Sequence, residues 1–202
     1  MARASGTPSR AVLLPLTLVL VALAALVAAT LLVFDGWRGP GEPAPSAIGG
    51  PFRLQTSDGR VVTEKDFEGR PFLVFFGFTR CPDVCPTALA EVSAVFEKLG
   101  PQAKISALFV SVDPERDTPA ALADFLSSFD KRITGLSGDP TALEAMRRAY
   151  RVYAKKVPLK DGDYTMDHTA IVYLMDKKGR FVNAFNMSRP AEDAAKELAK
   201  YL

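Results

Sequence analysis

Side chains that bind soft metals or carry out thiol chemistry are scarce in this chain. Its 202 residues include only two cysteines, Cys81 and Cys85, and a single histidine, His168. A centre built on thiolate or imidazole has only these three side chains to draw on. Because the cysteines are four residues apart, they can either form a disulfide with each other or bind one soft metal ion together.

An excess of charge of one sign is also missing. The chain carries 25 Lys and Arg residues against 23 Asp and Glu residues, and three basic and two acidic residues precede Pro51. The part that follows is therefore nearly neutral, with the two signs intermixed. A nucleic-acid-binding protein needs a basic face, so this class is excluded and no nucleic-acid partner is expected.

One long apolar run occupies residues 11–34. At about 1.5 Å per residue, a helix of this length crosses a hydrocarbon core of about 30 Å. Arg3 and Arg10 precede the run and Asp35 follows it, which predicts a cytoplasmic tail over residues 1–10 and an exported domain. We therefore expect a single-pass anchor in the inner (cytoplasmic) membrane, with the functional domain in the periplasm. The alternative is a cleaved signal peptide, whose apolar region is usually shorter, at about 7–15 residues.

Residues 35–51 contain many Pro, Gly, Ser and Ala residues and show no periodicity. This composition predicts a flexible linker. Residues 52–202 then have the usual size of a single domain, which is large enough to bury a hydrophobic core.

Strand and helix patterns alternate along the predicted domain. Strands are predicted on both sides of the turn Thr56–Gly59, at Phe72–Phe78, Ile105–Val112 and Ile133–Leu136, and in a terminal hairpin of Thr169–Met175 and Phe181–Phe185. Helices are predicted over Val84–Leu99, from Thr118 to about Phe129, from Asp139 to about Val152, and over Pro190–Leu202. This order predicts an α/β protein with a mixed sheet flanked by helices. It resembles an elaborated thioredoxin-like fold.

The two cysteines lie between the strand that ends near Phe78 and the helix that begins near Val84. Free N–H groups at a helix N-terminus favour the thiolate, so at least one thiol pKa is expected below the free value of about 8.5, although neighbouring Asp83 opposes this shift. A thioredoxin-like fold carries its redox pair at this place. The alternative is a permanent disulfide, which is common in exported proteins, but one that closes so short a loop contributes little stability.

His168 is predicted to begin the strand Asp167–Leu174, which leads into the terminal hairpin. Thioredoxin-like folds place a cis-proline loop here, packed against the redox pair, whereas this chain has an imidazole. A lone histidine is more often a hydrogen-bonded structural residue, but the predicted position beside two thiols favours a metal ligand. Two thiolates and one imidazole suit copper, and Cu(I) in particular. Zinc can use the same ligands, but a closed structural zinc site needs four.

Several polar residues near the predicted centre have two interpretations. Asp83 is either a carboxylate favoured by the helix dipole or a group that repels or binds the cation. Asp113, Arg116 and Asp117 follow the second long strand, and we expect them to shape the loop near the metal by turn and ion-pair contacts rather than bind the metal. The polar segment Lys155–Tyr164 is expected to present a docking surface.

Four motifs occur in an order that resembles the Sco/SenC family. They are FGFTRCPDVCP (Phe76–Pro86), VDPERDTP (Val112–Pro119), TGLSG (Thr134–Gly138) and YTMDHT (Tyr164–Thr169). The resemblance covers the predicted anchor and essentially all of residues 50–202. Ser137 and Thr169 depart from the residues common in the family, and neither change affects a ligand position.

The resemblance implies a membrane-anchored copper chaperone with a thioredoxin-like fold and an inserted hairpin. It implies that Cys81, Cys85 and His168 bind copper, as Cu(I) and Cu(II), and that the protein helps assemble the copper centre of cytochrome c oxidase subunit II. An upstream copper donor is a further expected partner. The rival interpretation is a thiol–disulfide oxidoreductase, or a peroxidase-like variant, in which Cys81 and Cys85 are a catalytic redox pair acting on the cysteines of the target.

Overall fold

The computed structural model describes residues 19–30, 48–160 and 162–202. Residues 19–30 form a helix, α1, which belongs to a different compact unit from the domain that follows. Among the described residues, no helix combines the length and the apolar character needed to cross a membrane. The predicted tail, the two ends of the predicted span and most of the predicted linker lie outside the described residues, so the anchor stays a prediction.

The domain contains strands and helices in alternation, as predicted. The strands are β1 (Arg53–Thr56), β2 (Val61–Thr63), β3 (Phe72–Gly77), β4 (Ser106–Ser111), β5 (Ile133–Ser137), β6 (Ala154–Pro158), β7 (Tyr164–His168), β8 (Val172–Met175) and β9 (Phe181–Ala184). The helices are α2 (Val84–Leu99), α3 (Pro119–Leu126), α4 (Pro140–Ala149) and α5 (Ala191–Leu198), with short 3-10 helices at Glu64–Phe67 and Ala199–Tyr201.

A seven-stranded mixed sheet forms the centre of the domain, in the order β2-β1-β5-β4-β3-β8-β9. Strands β3, β4 and β5 are parallel, whereas the β1–β5, β3–β8, β1–β2 and β8–β9 pairs are antiparallel. Helix α2 connects β3 to β4, and it packs against α5 at the end of the chain. The β4-β3-β8-β9 core with these two helices is the arrangement of a thioredoxin-like fold, which confirms the predicted fold class.

Continuous apolar sequence explains the two central strands. Every residue of β3 (FLVFFG) and of β4 (SALFVS) is buried, as expected for parallel strands covered on both faces. Helix α2 buries one stripe, at Leu89, Val92, Val95 and Phe96, and this three- and four-residue spacing fixes the face that packs on the sheet. The helix ends at Leu99, and Gly100, which has φ +80°, is its C-cap.

Helices α3 and α4 begin where their N-cap residues predict, but each ends several residues before the predicted end. The side chain of Thr118 accepts a hydrogen bond from Ala121 N, and that of Asp139 accepts bonds from the first turn of α4. Helix α4 ends at Ala149 rather than near Val152, because Arg151 adopts a left-handed φ of +57° that stops the helix.

Strands β6 and β7 form a separate two-stranded ribbon, the predicted inserted hairpin. His168 is the last residue of β7, opposite Ala154. The prediction that His168 begins the next strand is therefore wrong. The β6–β7 ladder continues to His168, whereas the β3–β8 ladder begins only at Val172, opposite Phe75, so the chain changes sheets between these residues.

Candidate metal centre

Cys85 lies in the first turn of α2 and is completely buried. Its sulfur fits against Gly77, the last residue of β3. A Cβ atom at Gly77 would lie 2.8 Å from Cys85 Sγ and 2.6 Å from Phe109 Cε2, so only glycine leaves room for both side chains. The sequence offered one signal for this role, a glycine inside an otherwise large apolar strand, which often marks a close approach.

Cys81 lies in the loop before α2 and is partly exposed. The amide of Cys85 donates a hydrogen bond of 3.4 Å to Cys81 Sγ. This N–H lies in the first turn of α2 and has no partner within the helix, and such a donor was expected to favour a thiolate. Cys85 is not the thiol with a lowered pKa that was expected of at least one of the pair. Burial raises the pKa of the Cys85 thiol strongly, and the backbone hydrogen bond from Phe78 does not offset it.

Asp83, between the two cysteines, is the N-cap residue of α2. It is exposed, and its carboxylate accepts a hydrogen bond of 3.3 Å from Thr87 Oγ1. It is not part of the group of donor atoms that faces a common point. The structure therefore favours its interpretation as a carboxylate at a helix N-terminus.

His168 points one ring nitrogen at the cysteines. Its Nε2 lies 3.8 Å from Cys85 Sγ, and its Nδ1 lies 3.1 Å from the carbonyl oxygen of Thr169. Because a carbonyl only accepts hydrogen bonds, we assign the proton to Nδ1, which leaves the Nε2 lone pair facing the cysteines. The edge contacts of the imidazole with Phe78 and Phe75, at 5.7 and 6.4 Å between ring centroids, form an apolar wall on this side.

The two sulfurs and an imidazole nitrogen all lie within 4.8 Å of one another. Two donors on one ion, with bonds of about 2.0–2.3 Å as for Zn²⁺, are at most about 4.6 Å apart. The three donors therefore already lie close to the separations that a single ion requires. A set of two sulfurs and one imidazole is soft and three-coordinate, which suits copper better than a closed zinc site.

The loop after β4 supports the centre without supplying a donor. The buried carboxylate of Asp117 accepts hydrogen bonds from Thr79 N (3.0 Å), Thr79 Oγ1 (2.7 Å) and Ser111 Oγ (2.6 Å). Thr79 is two residues from Cys81, so Asp117 fixes the start of the cysteine loop. Asp113 and Arg116 form an ion pair of 2.5 Å. The predicted loop-shaping role of all three residues is confirmed.

The SCO1/SenC family model matches residues 40–202 of the chain. The chain belongs to the SCO1/SenC family. It is 38% identical over 159 residues to the human mitochondrial SCO1 homolog, covering 77% of this chain and 53% of that protein. It is 36% identical over 162 residues to mitochondrial SCO1 homolog 1 of Arabidopsis thaliana, covering 77% of this chain and 48% of that protein. This Sco-family chain thus spans about half the length of these curated relatives.

Solved structures of Sco proteins share the fold. Copper-bound ScoI from Bradyrhizobium japonicum is 58% identical, with a TM-score of 0.74, and the match covers 77% of this chain and 99% of that chain. Copper-bound ScoI from Arabidopsis thaliana is 36% identical, with a TM-score of 0.71, and the match covers 76% of this chain and 97% of that chain. Nearly the whole length of each of these two Sco structures is therefore matched by this chain.

Proposed function

We propose that this Sco-family protein is a copper chaperone that binds one copper ion through Cys81, Cys85 and His168. The observation that carries the proposal is the convergence of two sulfurs and one imidazole nitrogen, with the Nε2 lone pair facing Cys85 Sγ at 3.8 Å. Support also comes from the copper-bound state of two similar Sco structures. Copper is the cargo of such a protein rather than a permanent cofactor.

The donor set explains how both copper oxidation states are held. The two thiolates select Cu(I), and the imidazole adds the nitrogen donor that Cu(II) favours. The thiols must lose their protons when the metal binds, and a bound cation offsets the burial that raises the pKa of Cys85. Oxidation of the pair by a target disulfide, which would take up the two electrons and become a dithiol, would form the Cys81–Cys85 disulfide, remove both sulfur ligands and release the ion.

The proposed acceptor is a protein copper site, most specifically the copper centre of cytochrome c oxidase subunit II, with copper supplied by an upstream donor protein. A thiolate-bound ion passes between proteins by direct contact. Apolar side chains are exposed around the centre at Val84, which precedes Cys85, at Tyr153, whose amide contacts Thr169, and at Ile171. Exposed apolar groups around a site favour a protein partner.

We also propose that residues 11–34 anchor the chain in the inner membrane, with the domain on the periplasmic side. The support is the length of the apolar run and the placement of Arg3 and Arg10 before it. Protease treatment of intact spheroplasts tests this topology. Degradation of the domain with retention of a membrane-bound N-terminal fragment is the expected result, and full protection of the domain contradicts it.

Copper titration of the reduced full-length protein tests the ligand set. Wild type is expected to bind one Cu(I). Cys81→Ser and Cys85→Ser are each expected to lose more than the roughly 10–100-fold in affinity that follows loss of an outer-shell partner, because one soft donor is removed outright. His168→Ala is expected to retain Cu(I) binding and to lose the thiolate-to-Cu(II) charge-transfer absorption.

Asp83→Asn is the matched control, since Asp83 lies between the cysteines but outside the donor group. Its affinities for Cu(I) and Cu(II) should stay much closer to those of wild type than the affinities of the cysteine variants do. Wild-type Cu(I) affinity in Cys85→Ser, or unchanged Cu(II) absorption in His168→Ala, contradicts the three-ligand site.

A second candidate function is thiol–disulfide exchange, and the partial exposure of Cys81 favours it. The Cys81 thiolate would attack a target disulfide to form a mixed disulfide, and Cys85 would then displace the target thiol. The chain would end as a disulfide and the target as a dithiol, so two electrons pass to the target. Reduction of a disulfide-bonded acceptor by the metal-free protein, with Cys85→Ser trapped as the mixed disulfide, is the result that this function requires.

A further inference from the structure

The strand that carries His168 has only partial support from the hydrophobic core, through the partly buried Met166 and, on the paired strand, Ala154. Neither β6 nor β7 contains a fully buried residue, and within the described residues the two strands pair only with each other. A two-stranded ribbon is marginally stable on its own. The position of the imidazole therefore depends on contacts between the ribbon and the rest of the domain.

Arg116 makes the central contact with the ribbon. Its side chain is only 11% exposed, and its Nε donates a hydrogen bond of 2.5 Å to Asp113 Oδ2. Its Nη1 donates to Asp163 Oδ1 at 3.1 Å and to the carbonyl oxygen of Tyr164 at 2.7 Å. The guanidinium also stacks on the Tyr164 ring, 3.6 Å from its centroid. One planar side chain thus joins the loop after β4 to the first residue of β7.

Tyr164 closes this cluster from the other side. Its hydroxyl donates a hydrogen bond of 2.8 Å to Asp113 Oδ1, so both oxygens of a carboxylate with no exposed surface are satisfied. Lys156, on the paired strand, contacts the same ring at 4.6 Å and bonds Glu115 at 2.5 Å. We call Asp113, Arg116 and Tyr164 the ribbon clamp.

The loop after β4, which carries Asp113 and Arg116 of the ribbon clamp, also holds the cysteine loop. Asp117, next to Arg116, accepts both hydrogen bonds from Thr79. Five consecutive positions, Asp113 to Asp117, therefore fix two chain segments at once. One segment leads to Cys81, and the other leads to His168.

We propose that Asp113, Arg116 and Tyr164 are positioning residues that place the His168 imidazole opposite Cys85 and so determine whether the centre binds Cu(II) as well as Cu(I). The clamp itself does not contact the ion. This inference rests on the proposed role of His168 as a ligand. It predicts that a substitution in the ribbon clamp weakens metal binding by His168 in part, while the two cysteine ligands remain in place.

The test compares Arg116→Lys with Arg132→Lys in the reduced full-length protein. Arg132 is a matched control because it has the same kind of environment away from the centre. It bonds both oxygens of Asp130, at 2.8 and 2.7 Å, and the carbonyl oxygen of Gly100, at 2.9 Å, and it stacks on Phe96 at 4.8 Å. Lysine at either position keeps the charge but loses the planar fork.

Arg116→Lys is expected to weaken Cu(II) binding by about 10–100-fold, the usual effect of losing an outer-shell partner, and to leave Cu(I) binding close to wild type. Arg132→Lys should change neither affinity. In the metal-free protein, the ring protons of His168 should lose the NMR shift caused by the Phe78 ring in Arg116→Lys only. This second readout needs no copper.

The two hypotheses fail in different ways. Unchanged Cu(II) affinity and unchanged His168 shifts in Arg116→Lys overturn the ribbon clamp, even if His168→Ala abolishes Cu(II) binding. Unchanged Cu(II) binding in His168→Ala overturns the ligand assignment, while the metal-free shifts still test the clamp. If Arg116→Lys does not fold, Tyr164→Phe carries the test, because it removes a single hydroxyl and is expected to shift both readouts in the same direction by less. No change of either readout in that variant overturns the proposal.

Discussion

The two halves of the metal centre are built in different ways. Cys85 sits in the first turn of a helix that packs on the sheet, completely buried behind Gly77 and Phe109. His168 ends a ribbon with no fully buried residue, and polar contacts hold it in place. The sulfur half therefore depends mainly on close packing, whereas the imidazole half combines apolar contacts with Phe75 and Phe78 and a polar network around Arg116. The proposed binding and release of an ion would thus involve one half fixed by the core and another half fixed by polar contacts of the ribbon.

Gly77→Ala should have the largest effect of a single change outside the ligands. The added Cβ would lie 2.8 Å from Cys85 Sγ, so the sulfur or the Phe109 ring must move, which typically costs about 1–3 kcal/mol of unfolding free energy. Because the displaced sulfur belongs to a proposed ligand, Cu(I) and Cu(II) affinities should both fall. Denaturant unfolding and copper titration measure the two effects.

Gly135→Ala is the control for this overpacking. A Cβ there would meet Leu126 Cδ1 at 2.6 Å, on β5 and away from the ligands. It should lose stability without a selective loss of copper binding. Equal copper affinities in Gly77→Ala and wild type would contradict the idea that packing fixes the sulfur half.

Tyr164→Phe should have a smaller effect, restricted to the imidazole half. It removes the 2.8 Å hydrogen bond to Asp113 and leaves a buried carboxylate oxygen without this donor, which costs about 1–3 kcal/mol. Cu(II) affinity should fall and Cu(I) affinity should stay. Tyr153→Phe, at an exposed tyrosine on the same side of the domain, is the control and should alter neither. A parallel fall of both affinities in Tyr164→Phe would show that the two halves are not independent.

The smallest expected effect is a change in pH dependence at Asp117. Burial raises the pKa of this carboxyl, against hydrogen bonds from Ser111 and Thr79 that lower it. The folded state therefore keeps its proton to a higher pH than the unfolded state. Protonated Asp117 therefore favours the folded state. This contribution to the unfolding free energy is complete below the pKa of Asp117 in the unfolded chain, and it is lost as pH rises through the pKa of Asp117 in the folded protein.

Asp117→Asn removes this titration. The unfolding free energy of wild type should fall relative to that of Asp117→Asn between about pH 4, near the ordinary Asp pKa, and neutral pH. Urea unfolding of both proteins across that range measures the difference. If the difference in unfolding free energy between the two proteins does not change with pH, or changes in the opposite direction, the raised pKa of Asp117 is contradicted.

Sequence patterns predicted most of the fold, and they singled out Cys81, Cys85 and His168, whose sulfur and nitrogen atoms the structure brings within 4.8 Å of one another. Helix α2 was predicted with the observed bounds because its apolar stripe and Gly100 are local signals. The element that carries His168 was assigned incorrectly, because the residues of β7 (YTMDH) show neither a continuous apolar run nor a buried face.

The pKa of the Cys85 thiol and the contacts that hold the ribbon could not be predicted from local sequence patterns. The helix N-terminus suggested a lowered thiol pKa, but the desolvation of Cys85 depends on how completely the tertiary structure covers it. The contact between Arg116 and Tyr164 joins residues 48 positions apart. Pairing across such a distance follows from the topology of the ribbon, which a single sequence does not reveal.

The distance along the chain between the two halves has a consequence for biosynthesis. Cys85 and His168 are 83 positions apart, and the ribosome makes proteins from the N-terminus at about 5–20 residues per second. For several seconds, each new chain has both thiols and no imidazole. During that interval the two thiols have no imidazole beside them, and the proposed three-ligand centre can form only when His168, in the last fifth of the chain, has been made and folded.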